Sequence, residues 1–439
     1  MANNLSSNAS EKLIRRFWEL FDSNRIISKT INRSVYEGEF DPRTDTVIRT
    51  KRPHRYTTIE TADGDISAST KNDIIAGSAF AEVQDYITVA VEYKQVEEAL
   101  QLDQLGDGTP NMDSILGPVA EEMATKLDNN LLQFMIANAS QQLGNAGTQI
   151  AVWKDVAQVM THMKNMGFPA GRKYVALDCG AVENLADTQT GLASGNNRLV
   201  DTAWEDAMIS NPFAGLTALA TNSLPEITNG TYGAGPITVA ATPTATYVSV
   251  KDTYQQSVAL TGFTASTVGA LRAGMVLEFT TGAADADSVF LINQRSRKPF
   301  RDSTGANVRF RATVTADADS DAGGNVTAII SGPALVDPLG QYDTVTRAIE
   351  LGDAVTIVSG AEDTTQTPSI WYHENALSMA SVRLPKLHSL DSRVISYDGI
   401  SIRMHMYSDG DANLQKLRWD LLPAFGANNQ FMCGPVYGR

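Results

Sequence analysis

Cysteine is almost absent from this sequence. Its 439 residues include two cysteines, Cys179 and Cys433, which form neither a Cys-x-x-Cys pair nor a pair with histidine at the spacing of metal ligands. The sequence therefore predicts neither a disulfide scaffold nor a zinc module, and both cysteines are expected to be small core residues.

Long apolar runs and a secretion signal are also missing. No stretch approaches the roughly 18 consecutive apolar residues of a membrane span. The polar start Met1–Ser7 lacks the apolar region of a signal peptide. We therefore expect a soluble intracellular protein.

Positive charge is scarce. Lys and Arg total 35 against 50 Asp and Glu, which gives a net charge of -15. Such a charge would repel nucleic acid unless basic residues cluster on one face, so a general DNA-binding protein is disfavoured. Hydrophobic residues still make up 43% of the chain. At this length we expect a globular protein with more than one domain.

The sequence also lacks a recognisable catalytic, phosphate-binding or metal-binding motif. The segment His388–Asp391 places the residue types of a catalytic triad side by side, but a triad is assembled from distant segments. None of the five histidines has the spacing that two zinc ligands need: His54, His162, His373, His388 and His405. We therefore expect no catalytic residue, no metal and no cofactor. A hydrolase that uses His388 and a distant serine remains the alternative.

A β-hairpin is the clearest unit in the second half of the chain. Apolar and polar residues alternate over Val308–Val314, with Arg309, Arg311 and Thr313 on the outer face, and a second run follows at Val326–Ile330. Between them, Asp317–Asp321 resembles the start of a calcium loop. Ala322 and Ala328 stand where that loop needs Gly and Glu, so a hairpin turn is favoured.

The N-terminal segment is predicted to form an amphipathic helix. It covers Ser10–Asn24, with Ser10 as the N-cap. Its apolar stripe consists of Leu13, Ile14, Phe17, Trp18, Leu20 and Phe21. Such a stripe must dock on its own chain or on a neighbouring subunit, and both remain open. We take Leu13, Phe17 and Trp18 as candidate inter-subunit contacts whose docking partner changes during assembly.

A long polar segment separates the strand candidates Val47–Lys51 and Tyr86–Tyr93. It begins with basic residues and continues into an acidic turn around Asp63-Gly64. This charge pattern favours a projecting hairpin that pairs with a neighbouring subunit, and a solvated loop is the alternative. The candidate contact residues are Arg49, Lys51, Arg52 and Arg55 on the basic side and Asp63 and Asp65 on the acidic side.

The central region combines helices with a strand. The longest helical pattern covers Asp113–Ala139, and shorter ones cover Trp153–Asn165 and Leu199–Ile209. Lys173–Leu177 is typical of a strand. This combination predicts the α+β class.

Residues 226–368 have a different composition, rich in Thr, Ala, Gly and Val. Besides the hairpin, strands are predicted at Tyr247–Val250, Met275–Phe279 and Ala354–Val358. These strands indicate an inserted all-β barrel or sandwich, and about 140 residues suffice for a core of its own.

A second hairpin follows the insertion. Val394–Tyr397 and Ile400–Met406 flank Asp398-Gly399, a two-residue hairpin loop. Ile400, Ile402, Met404 and Met406 are expected on one face, and Arg403 and His405 on the other, which favours a surface position for His405.

The order of these features resembles that of major capsid proteins of tailed bacteriophages. Individual stretches are similar to coat proteins of short-tailed enterobacterial phages, over nearly the whole chain. These stretches are Lys51–Arg55 through Asp63–Ser67, Tyr86–Tyr93, Leu185–Leu192, Leu384–Ser389, and Tyr407–Asn413 through Leu421–Ala424.

The resemblance implies the Hong Kong-type phage capsid fold with an inserted immunoglobulin-like or telokin-like I-domain. It divides the chain into an N-terminal arm (1–34), an E-loop with flanking strands (35–94), a P-domain with a long spine helix (95–145), an A-domain (146–225 and 369–425), the I-domain (226–368) and a C-terminal segment (426–439).

The resemblance also implies function and partners. Such proteins form an icosahedral procapsid that later expands around double-stranded DNA. Expected partners are other copies in pentamers and hexamers, a scaffolding protein, a portal protein and packaged DNA without sequence specificity. The expected location is the virion, after assembly in the cytoplasm of the bacterial host. A soluble hydrolase-type enzyme and a phage decoration or tail-tube protein are the alternatives.

Overall fold

The computed structural model describes residues 5–33, 47–52, 54–94, 112–190, 209, 211–233, 235–281, 288–387, 392–409 and 414–439. The chain divides into two compact units. Unit 1 takes its residues from Met1–Arg49, Ala81–Leu131 and Ser378–Gly426, and unit 2 from Thr50–Phe80, Leu132–Leu377 and Ala427–Arg439. Within the described ranges, no helix is both long and apolar enough to cross a membrane.

The helices largely follow the predicted periodicity. They are α1 (Leu5–Asn24), α2 (Met112–Ala137), α3 (Trp153–Met166), α4 (Cys179–Thr190) and the single turn α5 (Tyr247–Val250). Together with the strands they give the mixed α and β architecture that the sequence predicts.

Twenty strands accompany these helices in the described part of the chain. The first ten are β1 (Val47–Lys51), β2 (Ser78–Val83), β3 (Ile87–Lys94), β4 (Lys173–Leu177), β5 (Thr217–Ala220), β6 (Ile227–Thr228), β7 (Ile237–Val239), β8 (Gln255–Thr261), β9 (Val276–Thr280) and β10 (Arg311–Val314). The others are β11 (Asn325–Ser331), β12 (Ala354–Ile357), β13 (Thr365–Gln366), β14 (Ser369–His373), β15 (Leu377–Ser381), β16 (Ser392–Tyr397), β17 (Ile400–Asp409), β18 (Leu414–Leu421), β19 (Pro423–Ala427) and β20 (Cys433–Val436).

Unit 1 is built around an antiparallel sheet in the order β16-β17-β18-β3. The hairpin predicted at Asp398-Gly399 is confirmed: β16 pairs with β17, and Asp398 and Gly399 have φ angles of 53° and 73°. A two-residue turn of this kind needs positive φ at both positions, which Asp and Gly tolerate best. The inner face of β17 carries Ile402 and Met404, which are fully buried.

Unit 2 contains a closed barrel of six strands in the order β10-β11-β8-β7-β12-β9. The predicted hairpin is confirmed. Its two runs flank Asp317–Gly324 and form the antiparallel strands β10 and β11, in which Thr313 pairs with Ser331. Phe310 and Ala312 point into the barrel core, as their alternation predicts, but Thr313 is buried as well.

A second part of unit 2 places helices on a sheet in the order β20-β14-β4-β5. Its core joins Val159 and Met163 of α3 to Val175 of β4 and Trp371 of β14. Helix α3 is capped at its C-terminus by Gly167, whose φ of 75° is the left-handed conformation that favours glycine at this position.

Several local predictions are wrong. Residues Tyr247–Val250 form a helical turn, because the Thr246 side chain accepts a hydrogen bond from the Ser249 N–H and caps the turn. Helix α1 begins at Leu5, so Ser10 is not its N-cap. Helix α4 was not predicted from the sequence, and the helix predicted at Leu199–Ile209 lies outside the described residues except for Ile209.

One prediction about individual side chains also needs correction. Cys433 is buried as expected, but Cys179 is exposed at the start of α4. The sequence did not indicate that Arg403 is buried, where its guanidinium binds Asp420 at 2.7 Å and the Pro385 carbonyl at 3.1 Å.

Candidate functional site

Helix α1 packs on the sheet of unit 1. The ring of Phe17 stacks on that of Trp419 with centroids 5.4 Å apart, and the ring of Trp18 meets Tyr397 edge-on at 5.8 Å. Phe17 and Trp18 are buried, whereas Leu13 is only half-buried. The structure thus has the self-docked arrangement, one of the two that the sequence leaves open, and a change of partner during assembly stays a prediction.

The segment after α1 is held by a carboxylate from a distant helix. Asp128 of α2 accepts hydrogen bonds from the backbone N–H groups of Ile26, Ile27 and Ser28, at 2.8, 3.0 and 3.0 Å. Consecutive N–H groups that converge in this way form an anion-binding nest. Nothing in the sequence near Asp128 signals this role.

A buried arginine adds a second anchor. The side chain of Arg25 is fully buried, and its guanidinium lies 5.6 Å from the Trp18 ring centroid and 5.5 Å from that of Phe21. It pairs with Asp22 and, at 3.6 Å, with Asp398 in the β16–β17 turn. Burial alone would raise the pKa of Asp22, but Arg25 holds it below its usual value. This ion pairing ties the arm to the hairpin.

Arg52 is bound within unit 2. Its side chain donates hydrogen bonds to the carbonyl groups of Asn428, Asp252 and Ala427, and its guanidinium lies 4.8 Å from the Tyr254 ring centroid. Arg52 is buried. The guanidinium of Arg52 is therefore bound to its own chain, and the inter-subunit role expected for Arg52 stays a prediction.

The base of the loop that follows is also bound to its own unit. The amide of Gln341 donates hydrogen bonds to the carbonyl groups of Arg55 and Asp73, and Arg55 donates to Gln294 at 2.7 Å. The two arms of the loop are thus held together where they leave the body of unit 2. Arg49 and Lys51 lie in or at the end of β1, and their side chains fall outside the described residues.

The tip of the loop is exposed and acidic. Asp63 accepts a hydrogen bond from the Asp65 N–H at 3.1 Å, and Asp65 accepts one from the Ser67 N–H at 2.8 Å. The bond from Ser67 lowers the pKa of Asp65. Gly64 between them has a φ of 79°, a value that favours glycine. The structure thus brings Asp63 and Asp65 together in one ordered turn, apart from the basic residues at the loop base.

A cavity of about 940 Å³ lies in unit 2 between α3, the segment 141–145 and the barrel residues from Phe300 to Arg311. Its charged lining residues are Lys154, Arg301, Arg309, Arg311, Arg439, Glu278 and Asp302. Positive side chains outnumber negative ones here, in a chain that is strongly acidic overall. Sequence reasoning missed this site, because its residues come from separate segments.

Glu278 organises the inner part of the cavity. It binds Arg309 and Arg311, each at 2.8 Å, and Arg311 also donates to the Gln142 carbonyl at 2.8 Å. Burial would raise the pKa of Glu278, but the two arginines lower it. Nearby, burial and then Arg311 lower the pKa of His162 to about 3, so this histidine is neutral.

The described residues offer little for metal binding. No group of three or more His, Cys, Asp or Glu side chains among them could hold a metal ion. The segment His388–Asp391, which carries triad residue types, lies outside the described residues. Asp317 and Asp319 accept hydrogen bonds from the backbone N–H groups of Ala273 and Gly269, respectively. These bonds stabilise the loop.

Comparison with known proteins gives strong sequence matches. The family described as "P22 coat protein - gene protein 5" matches residues 1–436. A relative named "Major capsid protein", from Acyrthosiphon pisum secondary endosymbiont phage 1, is 41% identical over 440 residues, and the match covers 100% of this chain and 100% of the relative.

Solved structures give weaker similarities. A structure from Mycobacterium phage Che8 has a TM-score of 0.44 and 10% identity, covering 94% of this chain and 90% of that one. The capsid structure of Cyanophage P-SCSP1u has a TM-score of 0.41 and 9% identity, covering 90% and 84%. TM-scores this low do not support a conclusion about this chain. Its family assignment rests on the sequence matches.

Proposed function

The chain belongs to the P22 coat protein family and is a major capsid protein of a phage, and from this premise we propose that its copies close into the icosahedral shell of a tailed phage of the short-tailed enterobacterial branch. Its copies assemble with one another, and it is a component of the virion. Closure into rings of five and six requires heterologous contacts, in which one surface of each copy meets a different surface of the next.

We further propose that the chain has the Hong Kong-type capsid fold with the domain boundaries given above. The order of α1, the exposed loop, the 26-residue helix α2 and the helix-on-sheet region supports this assignment. For the inserted I-domain at 226–368, the support is the closed barrel, whose strands begin at Ile237 and end at Ile357.

The proposed partners follow from family membership. They are a scaffolding protein, a portal protein and packaged double-stranded DNA, and assembly takes place in the cytoplasm of the bacterial host. With a net charge of -15, contact with DNA would depend on local basic patches and would fall with added salt.

The observation that carries the assembly proposal is the loop tip around Asp63 and Asp65. It is exposed and conformationally ordered, and the described residues of its own chain give these carboxylates no cationic partner. A charged turn of this kind, held on an anchored base, suits recognition of another molecule.

The experiment is to express the chain with and without its phage's scaffolding protein and to examine the product by sedimentation and negative-stain electron microscopy. We expect closed shells or other particles of megadalton mass. A monodisperse small oligomer under both conditions would contradict the proposal.

A further inference from the structure

The cavity beside α3 has the chemistry of a site for anionic groups. Lys154 on α3 and Arg301 on the facing barrel segment are both exposed at its rim. Arg439 connects the same two walls, donating to Gln158 and to Ser303 at 2.9 Å each. Its volume of about 940 Å³ is at the upper end of the range for ligand pockets.

Buried polar atoms without partners lie in the wall of this cavity. The Gln142 side chain is 2% exposed and the His162 side chain 5%. Gln142 Oε1 and His162 Nε2 have no hydrogen-bond partner in the described structure. Buried polar groups are usually satisfied, so two orphans in one wall indicate a place where water or a polar ligand belongs.

The acidic loop tip carries the charge opposite to that of the cavity rim. Glu60, Asp63 and Asp65 are exposed, and among the described residues no cation pairs with them. The carboxylates of Asp63 and Asp65 both stay exposed while they accept the hydrogen bonds of the tip turn, so another molecule can reach them.

The tip is also presented on a firm base. Gln341, which is buried, bridges both loop arms through Arg55 and Asp73. From there, the first arm has about seven residues up to the tip, which would span about 20 Å as extended chain. An anchored loop loses little conformational freedom when its tip binds, which favours affinity.

We propose that the acidic loop tip of one copy, with Glu60, Asp63 and Asp65, docks into the basic cavity rim formed by Lys154 and Arg301 of a second copy. This contact rests on the proposed assembly function and names two of the surfaces that join neighbouring subunits. It is heterologous, since the tip and the cavity are different surfaces, and such contacts generate rings.

Charge variants test the contact. The cavity variant combines Lys154→Glu with Arg301→Glu, and the tip variant combines Asp63→Asn with Asp65→Asn, which keeps an acceptor oxygen for each turn hydrogen bond. We expect each to lower the yield of shells by about tenfold at low salt. The matched control, Arg272→Glu with Arg295→Glu, changes two exposed cations outside the cavity and should assemble normally.

A charge swap sharpens the test. Adding Glu60→Lys and Asp65→Lys to the cavity variant restores opposite charges across the proposed contact, so shell yield should recover. If the unaltered chain forms shells and both single-surface variants assemble as well as it does, the inference is overturned while the proposed function stands. If the unaltered chain forms no particles, the proposed function itself fails.

Crosslinking identifies the occupant of the cavity. In a Cys179→Ser background, a chain with Ala62→Cys at the tip is mixed with a differently tagged chain carrying Ala306→Cys at the cavity. A disulfide between the two tags in assembled particles supports the inference. In a variant that carries both introduced cysteines, a disulfide that forms only within one chain would overturn the inference. Normal shells from the cavity variant with reduced DNA content would also overturn it and assign the cavity to nucleic-acid phosphates.

Discussion

The ring of Phe17 lies on the indole of Trp419, with their centroids 5.4 Å apart and their planes inclined by 20°. One residue belongs to the N-terminal helix and the other to β18, nearly the whole sequence apart. The contact fastens the helix to the sheet of unit 1. Contacts like this one determine whether the helix stays docked.

The double substitution Phe17→Ala and Trp18→Ala tests the role of this helix in assembly. Loss of a buried aromatic side chain costs about 3 to 5 kcal/mol, so the arm should undock. We expect the melting transition of the barrel to stay unchanged while closed shells are lost. Glu19→Ala, on the exposed face of the same helix, is the control. Normal assembly of the double variant would show that docking of the arm is not required.

Asp128→Asn should loosen the segment after α1. An asparagine has one acceptor oxygen, and its NH2 group would face backbone N–H groups that need acceptors. We expect the free energy of unfolding to fall by about 2 to 3 kcal/mol. The amide hydrogens of Ile26 to Ser28 should exchange faster with solvent. Glu121→Gln, on an exposed position of the same helix, should do neither. Unchanged exchange at these amides would refute the anchoring role.

Arg52→Met should destabilise unit 2 rather than act on assembly alone. The substitution leaves carbonyl groups of Asn428 and Ala427 without their donor and removes the guanidinium from Tyr254. A loss of about 2 to 3 kcal/mol in the free energy of unfolding is expected. Chemical denaturation measures it, with the exposed Arg272→Met as control. Wild-type stability combined with defective assembly would instead support the inter-subunit role.

His162 should make the protein sensitive to mild acid. Its pKa is about 3 in the folded chain against an ordinary 6.5, so the unfolded state binds more protons between these values. Stability is therefore present above pH 6.5 and falls as the pH drops towards 3, by about 2 kcal/mol at pH 5. The rings of Phe300 and Trp371 pack against His162, so His162→Phe should preserve those contacts.

We expect the His162→Phe variant to lose part of this pH dependence between pH 4.5 and 6.5, measured by thermal unfolding. Burial also lowers the pKa of His373, so some dependence should remain. Carboxylates with lowered pKa, such as Glu278 and Asp420, destabilise the fold only at more acidic pH, as they become protonated. An identical pH profile in the variant and the parent would contradict the assignment to His162.

The fragment 226–368 should fold without the rest of the chain. Its barrel is closed, so no barrel strand needs a partner from outside it. We expect a soluble product with an all-β circular dichroism spectrum. Met166 and Phe431 belong to the same core but lie outside the fragment, so it should melt below the intact unit. A random-coil spectrum would contradict the proposed boundaries.

Local patterns in the sequence determined the elements that depend on short-range rules. Three features were predictable: the Asp398-Gly399 turn, the alternation around Phe310 and the long stretch of helical periodicity in α2. Each pattern directly encodes a backbone conformation or a buried face. The same rules misjudged Tyr247–Val250, where one capping side chain outweighed the preference of β-branched residues for strands.

Only the tertiary structure decided which distant groups became partners. Asp128 binds Ser28 across 100 residues, Arg52 reaches Asn428, and the cavity rim joins Lys154 to Arg301. A charged side chain looks the same in the sequence whether it is solvated, buried in an ion pair or part of a binding surface. Its role depends on which segments meet around it, because burial makes an unpaired charge costly and a well-placed partner necessary.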